Sequence, residues 1–188
     1  MQLAEKVYMT ENEYLEMERD SEIKHEYYQG EIFAMAGASY KHNSIVSNVI
    51  RELGNQLRKK PCQVLPGDMK IHIKDTDKYV YPDVIVVCGE KKFLDDKKDV
   101  LMNSTVIIEV LSDSTESYDR GDKFAYYRNL DGLKEYLLIS QKRKKMEKFL
   151  KDKDGFWHFF ETDNNNNEMI LESIECKLCL NDVYEKVF

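Results

Sequence analysis

Glu109 stands inside an apolar, β-branched run, Val106-Ile107-Ile108-Glu109-Val110-Leu111, and this feature narrows the fold most. A run that is apolar on both alternating faces reads as a strand covered on both sides, as in the middle of a layered sheet. An ionised carboxylate there costs several kcal/mol, or surrenders its charge, unless a cation, a set of donors or a metal meets it. The chain therefore has to supply a partner for Glu109.

A second run, Tyr81-Pro82-Asp83-Val84-Ile85-Val86-Val87-Cys88, carries Asp83 at its entrance. Proline biases the residue before it toward an extended conformation and is tolerated where a strand begins, so Asp83 is expected at the mouth of a central strand. If the two strands are neighbours, two carboxylates meet at one end of a sheet. Converging oxygens of that kind suit a hard cation such as Mg²⁺, or Mn²⁺ in its place.

The remaining pattern is that of a mixed α/β chain forming one domain over residues 1–188. Thr10-Glu11-Asn12-Glu13 is a capping box that opens a short first helix. A hairpin follows around Gln29-Gly30, with Glu31 at the start of its second strand. Ser39 caps a helix over 40–60, where Ile45, Val49, Leu53 and Leu57 recur at helical spacing and His42, Asn43, Asn48, Arg51 and Gln56 fall on the polar side. His42, in the first turn, reads as a capping or solvent-facing residue. Strands are expected over 62–65 and 69–73, around Pro66-Gly67-Asp68, and over 79–88 as one strand. The charged segment 89–99 reads as loop or frayed helix, a candidate lid. Ser112-Asp113-Ser114-Thr115 turns the chain into a helix starting at Ser117 or Asp119, and 135–140 is a further apolar strand. A hairpin turns at Asp154-Gly155, 164–167 is a polar loop, and Val183, Val187 and Phe188 make an apolar tail able to dock on the domain.

Cys62 and Cys88 occupy apolar, strand-like positions and read as buried free thiols. Cys176 and Cys179 have the spacing of a zinc or redox pair, but no second CxxC or His pair accompanies them. Strand alternation would also point the two thiols to opposite faces, so a structural reading is preferred. No apolar run approaches the roughly 20 residues of a membrane span, and the start of the chain lacks a signal-peptide pattern, which gives a cytoplasmic expectation with no membrane partner. The net charge of -7 argues against indiscriminate binding to nucleic acid. Two basic clusters, Arg51 with Arg58-Lys59-Lys60 and Lys142 to Lys153, soften that objection without deciding it.

Read together, Gly30-Glu31, Tyr81-Pro82-Asp83, Ile108-Glu109-Val110-Leu111-Ser112 with Ser114-Thr115, Tyr118-Asp119-Arg120-Gly121-Asp122-Lys123 with Tyr127, and Glu135-Tyr136-Leu137-Leu138-Ile139 resemble the Uma2-type (DUF820) endonuclease family. That family lies within the PD-(D/E)XK, restriction-endonuclease-like superfamily, and the resemblance spans nearly the whole chain. It implies a central mixed sheet flanked by helices, with N-terminal and C-terminal β-hairpins. It also implies Asp83 and Glu109 as metal ligands and a Mg²⁺- or Mn²⁺-dependent cut of a DNA phosphodiester by metal-activated water. The superfamily pattern places a lysine two residues after the second acid, where this chain has Leu111. The resemblance therefore implies a migrated lysine, Lys123, reaching the site from the following helix. Glu31 joins the catalytic set by the same resemblance, while Ser112, Thr115 and Asp119 shape the turn and support the site. A homodimer is expected, because two related sites cut both strands of a duplex most easily.

Two other readings compete. A non-catalytic binding or regulatory module of the same fold would account for the acidic charge and the missing strand lysine. A small-molecule phosphate enzyme would show a closed pocket in place of an open groove.

Overall fold

The computed structural model describes residues 8–162 and 166–188. Its frame is a six-stranded mixed sheet. In spatial order the strands are Trp157–Glu161, Met146–Lys151, Glu135–Ser140, Val106–Leu111, Val84–Cys88 and Cys62–Pro66, which are β11, β10, β9, β8, β6 and β3 in chain order. The parallel β8–β9 pair and the antiparallel β6–β8 pair put Val106–Leu111 in the interior, where every residue of the strand is buried. A five-stranded sheet lies beside it, in the order β2 (Glu31–Ala34), β1 (His25–Tyr28), β5 (Lys78–Val80), β4 (Lys70–Ile73) and β7 (Val100–Leu101).

Alternation along β8 divides the core. Val106, Ile108 and Val110 pack with Ile45, Val49, Leu53 and Leu57 of helix α2 (Tyr40–Leu57). Ile107 and Leu111 face the opposite way, into a layer shared with Ile71, Ile73 and Val80 of the five-stranded sheet. Glu109, in phase with Ile107 and Leu111, therefore belongs to the layer between the two sheets.

Helix α1 (Glu11–Asp20) begins at Thr10 with both halves of the capping box formed, and Ser39 caps α2 by accepting from the backbone N–H of His42. The segment after β8 is three contiguous helical pieces, α3 (Glu116–Tyr118), a π-helical turn over Asp119–Lys123 and α4 (Phe124–Tyr127). The chain closes with a small hairpin, β12 (Glu168–Leu171) and β13 (Cys176–Cys179), and a short helix α5 (Leu180–Val183), both packed on the α2 face.

Several sequence expectations are corrected. The run 79–88 is two strands: β5 ends at Val80 in one sheet, β6 begins at Val84 in the other, and Tyr81-Pro82-Asp83 is the crossover. For the same reason β3 and β4, expected to flank a shared turn, lie in different sheets. Cys62 and Cys88 are register partners across β3 and β6 and form a disulfide, with Cα atoms 4.0 Å apart. Asn48 is buried, its side chain donating to the carbonyls of Val183 and Glu185 at 3.0 Å each. The segment 89–99 is tied down through Arg19, which bonds Asp95 at 2.7 Å and Asp99 at 2.8 Å. Val183 and Val187 dock in the core, whereas Phe188 stays exposed against Tyr184. The expected loop 164–167 lies partly outside the described residues.

Candidate active site

The β6–β8 register pairs Val84 with Ile108, which brings Asp83, one residue before the strand, level with Glu109. Each acid accepts from the backbone of the other's strand or its entrance. The Asp83 carboxylate accepts from the N–H of Val110 at 2.7 Å, and Glu109 Oε2 accepts from the N–H of Asp83 at 3.3 Å. Glu109 is 3% exposed. Its Oε1 accepts from the Tyr127 hydroxyl at 2.8 Å and lies 2.9 Å from Lys123 Nζ.

Lys123 reaches this point because the π turn places it on the inward side of the helical segment, buried beside Asp119. Widened turns of this kind recur at functional sites. Its ammonium also lies 3.5 Å from Asp119 and 3.7 Å from Glu26. Asp119 is fixed in turn by Thr115, whose hydroxyl donates to it at 2.7 Å and is itself bonded to Ser112 at 2.8 Å.

Burial pushes the Glu109 carboxyl up to about 8, with the Lys123 ammonium pulling against it and the Asp83 charge adding to it. Burial works against the Lys123 charge as well, yet Glu109, Glu26 and Asp119 outweigh it and hold the ammonium well above its ordinary value. Burial likewise raises Asp119. Lys123 is thus a fixed cation at neutral pH, suited to neutralise and to donate, and unsuited to serve as a base.

His42 corrects the sequence reading. Far from facing solvent, its Nε2 lies 2.9 Å from Asp83 Oδ1. Its Nδ1 faces the Gln141 amide at 3.5 Å, and that amide also donates to the Leu111 carbonyl at 2.9 Å. The network assigns the proton to Nε2, so that His42 donates to Asp83. Glu26 was also missed: it is the hairpin acid that reaches Lys123. Glu31 opens β2 opposite Tyr28, on the same sheet face as Glu26 and two register pairs from it along the hairpin.

The donor set fits a hard cation. A carboxylate offers about four lone-pair sites. The bonds described leave capacity on both Asp83 oxygens and on Glu109 Oε2, at an end of the sheet where the Asp83 side chain is 22% exposed. Elsewhere, Glu11, His72 and Asp77 place ligand atoms within 4.8 Å of one another, outside this pair. Much of the basic character noted in the sequence is neutralised: Arg51 pairs with Glu185, Lys60 with Glu175, Lys142 with Asp113 and Lys145 with Glu161.

The mixed central sheet with its flanking helices is a fold of the restriction-endonuclease type, and in it two acids meet across adjacent strands beside a lysine from the next helix. A solved structure from Anabaena variabilis, titled a "putative nuclease belonging to DUF820", shares this fold with a TM-score of 0.78 at 15% sequence identity, over 96% of this chain and 99% of that one. The Uma2 family model, described as "Putative restriction endonuclease", matches residues 11–181, and the chain belongs to that family. Two relatives in Synechocystis sp. carry the names "Uncharacterized protein sll1609" and "Uncharacterized protein slr1290". The first is 37% identical over 161 residues, covering 86% of this chain and 91% of the relative. The second is 36% identical over 151 residues, covering 79% and 77%.

Proposed function

We propose that the chain is a divalent-ion-dependent endonuclease that hydrolyses DNA phosphodiester bonds at the Asp83–Glu109 end of the six-stranded sheet. The observation that supports this most is the Glu109 environment: a buried carboxylate bonded to the Asp83 backbone, to Tyr127 and, at 2.9 Å, to Lys123. Asp83 and Glu109 would hold Mg²⁺ or Mn²⁺, which would lower the pKa of an attacking water and stabilise charge growing on the phosphate. His42 orients Asp83 by donating to Oδ1. Lys123 keeps Glu109 in place and presents a permanent positive charge toward a phosphate oxygen. Glu26 and Asp119 keep that ammonium protonated. Glu31, on the Glu26 face of the hairpin, completes the proposed acidic set.

A second reading, a binding or regulatory module of the same fold, draws on one observation. Lys123 and His42 already answer the two acids without an ion. Incubation of the protein with supercoiled plasmid, single-stranded DNA and RNA in Mg²⁺ or Mn²⁺ separates the two. Nicking or linearisation of DNA that falls at least about 100-fold in Asp83→Ala, Glu109→Gln and Lys123→Ala supports the nuclease. Activity that survives all three substitutions rejects the site, and a parent inert on every substrate while still shifting DNA on a gel favours the module. The homodimer belongs to the same proposal, and sedimentation with and without a short duplex tests it.

A further inference from the structure

His72 is 5% exposed, and neither of its ring nitrogens has a hydrogen-bond partner. A neutral imidazole carries one N–H and one lone pair, and leaving both unmet in the interior is costly. The ring lies flat on Tyr79, with centroids 4.1 Å apart and planes 6° from parallel, so packing fixes it. One nitrogen, Nε2, points at Glu11 Oε2 from 4.0 Å. Asp77 Oδ1 is buried without a partner too. The Glu11 and Asp77 carboxylates bring ligand oxygens within 4.8 Å of each other and of the His72 ring. Two carboxylates this close repel each other, and a shared cation would remove that repulsion.

We propose that Glu11, His72 and Asp77 form a second cation site, one that selects a borderline first-row divalent ion such as Zn²⁺ over Mg²⁺. The three residues come from separate parts of the chain: the first turn of α1, strand β4, and the turn that leads into β5. Their ligand atoms already lie within 4.8 Å of one another. An imidazole nitrogen with two carboxylate oxygens favours zinc-like ions over magnesium, and three protein ligands leave a fourth position for water. Tyr79 donates to Glu11 Oε2 at 2.8 Å and steadies that ligand from behind. The Glu11 side chain is 45% exposed and gives an ion its way in.

This site is distinct from the proposed nuclease centre. Register places His72 beside Tyr79 and Tyr79 beside Tyr27, a face whose Tyr27 and Tyr79 rings pack with Tyr14 of α1. One residue along, Lys78 and Tyr28 face the other way, toward Tyr126 of the helical segment that carries Lys123. A sheet separates the two sites. An ion bound here would fasten α1 to the five-stranded sheet.

Long-range ¹H–¹⁵N spectra of the histidine rings, recorded on the parent protein during Zn²⁺ titration, test the proposal directly. The His72 ring nitrogens should shift in one step with the first equivalent of Zn²⁺ and stay unmoved by the same concentration of Mg²⁺. Calorimetry gives the second measure, in a background with Asp83→Ala and Glu109→Gln to remove the other acids and Cys176→Ser and Cys179→Ser to remove the thiols. There His72→Asn should weaken Zn²⁺ by about 100-fold or more, since losing even an outer partner of a ligand costs about 10–100-fold. His72 signals that ignore saturating Zn²⁺, or an affinity that His72→Asn leaves unchanged, would overturn the site whether or not the protein proves to be a nuclease.

Discussion

Burial makes the Glu109 carboxyl harder to ionise in the folded, ion-free protein than in the unfolded chain, even with the Lys123 ammonium pulling against it. Its ordinary value is 4.5 and burial raises it to about 8, so between those values the native state binds more protons than the unfolded chain. The sign follows from linkage: stability from this group is greatest below about 4.5 and is lost as pH rises toward 8. Urea melts at intervals from pH 5 to 8 should show parent stability falling by up to about 1.4 kcal/mol per pH unit, and Glu109→Gln should flatten that slope. An unchanged slope in the variant would place the proton elsewhere. Glu109 was legible in the sequence because a carboxylate in an apolar run has to be answered by something. His42 and Glu26 were not, because their partners lie 41 residues away at Asp83 and on a distant helix at Lys123, and a helix start or a hairpin acid looks solvated until its neighbour is known.

Among the elements, α2 carries its apolar face as the spacing of Ile45, Val49, Leu53 and Leu57 predicts. Gly54 sits in the exposed interior of this helix, and a Cβ there would meet nothing within 4 Å. Gly54→Ala should therefore raise stability by about 0.5–1 kcal/mol, read as a shift in urea midpoint with unchanged slope. Helices and turns with local signals were readable in this way, as the capping box at Thr10 and the left-handed Gly30 and Gly155 turns show. The split of 79–88 was hidden because both strands are apolar and extended, and periodicity alone carries no mark of a change of sheet. The π turn had no local signal either. It becomes visible only when the Lys123 side chain has a buried acid to reach.

At the scale of the molecule, the Cys62–Cys88 bridge closes a separation of 26 residues at one end of the β3–β6 ladder. Pro66 pairs with Val84 at the other end, next to Asp83. Reduction, or a Cys62→Ala and Cys88→Ala double substitution, should lower stability by about 3 kcal/mol while leaving any nuclease rate unchanged below the melting range. Equal loss of rate and stability would mean that loosening of the ladder reaches the site. No spacing rule finds this bridge, since opposed cysteines are recognised only once strand register is fixed, and a reducing compartment would leave the two thiols free. No helix among the described residues is long and apolar enough to cross a membrane. The crossover at Tyr81-Pro82-Asp83 has a mechanical meaning of its own: the chain steps from one layer to the next and presents a carboxylate in the same stride. Asp83 is thus both the landing of the step between layers and half of the acid pair, pinned on arrival by the Val110 N–H and by Glu109.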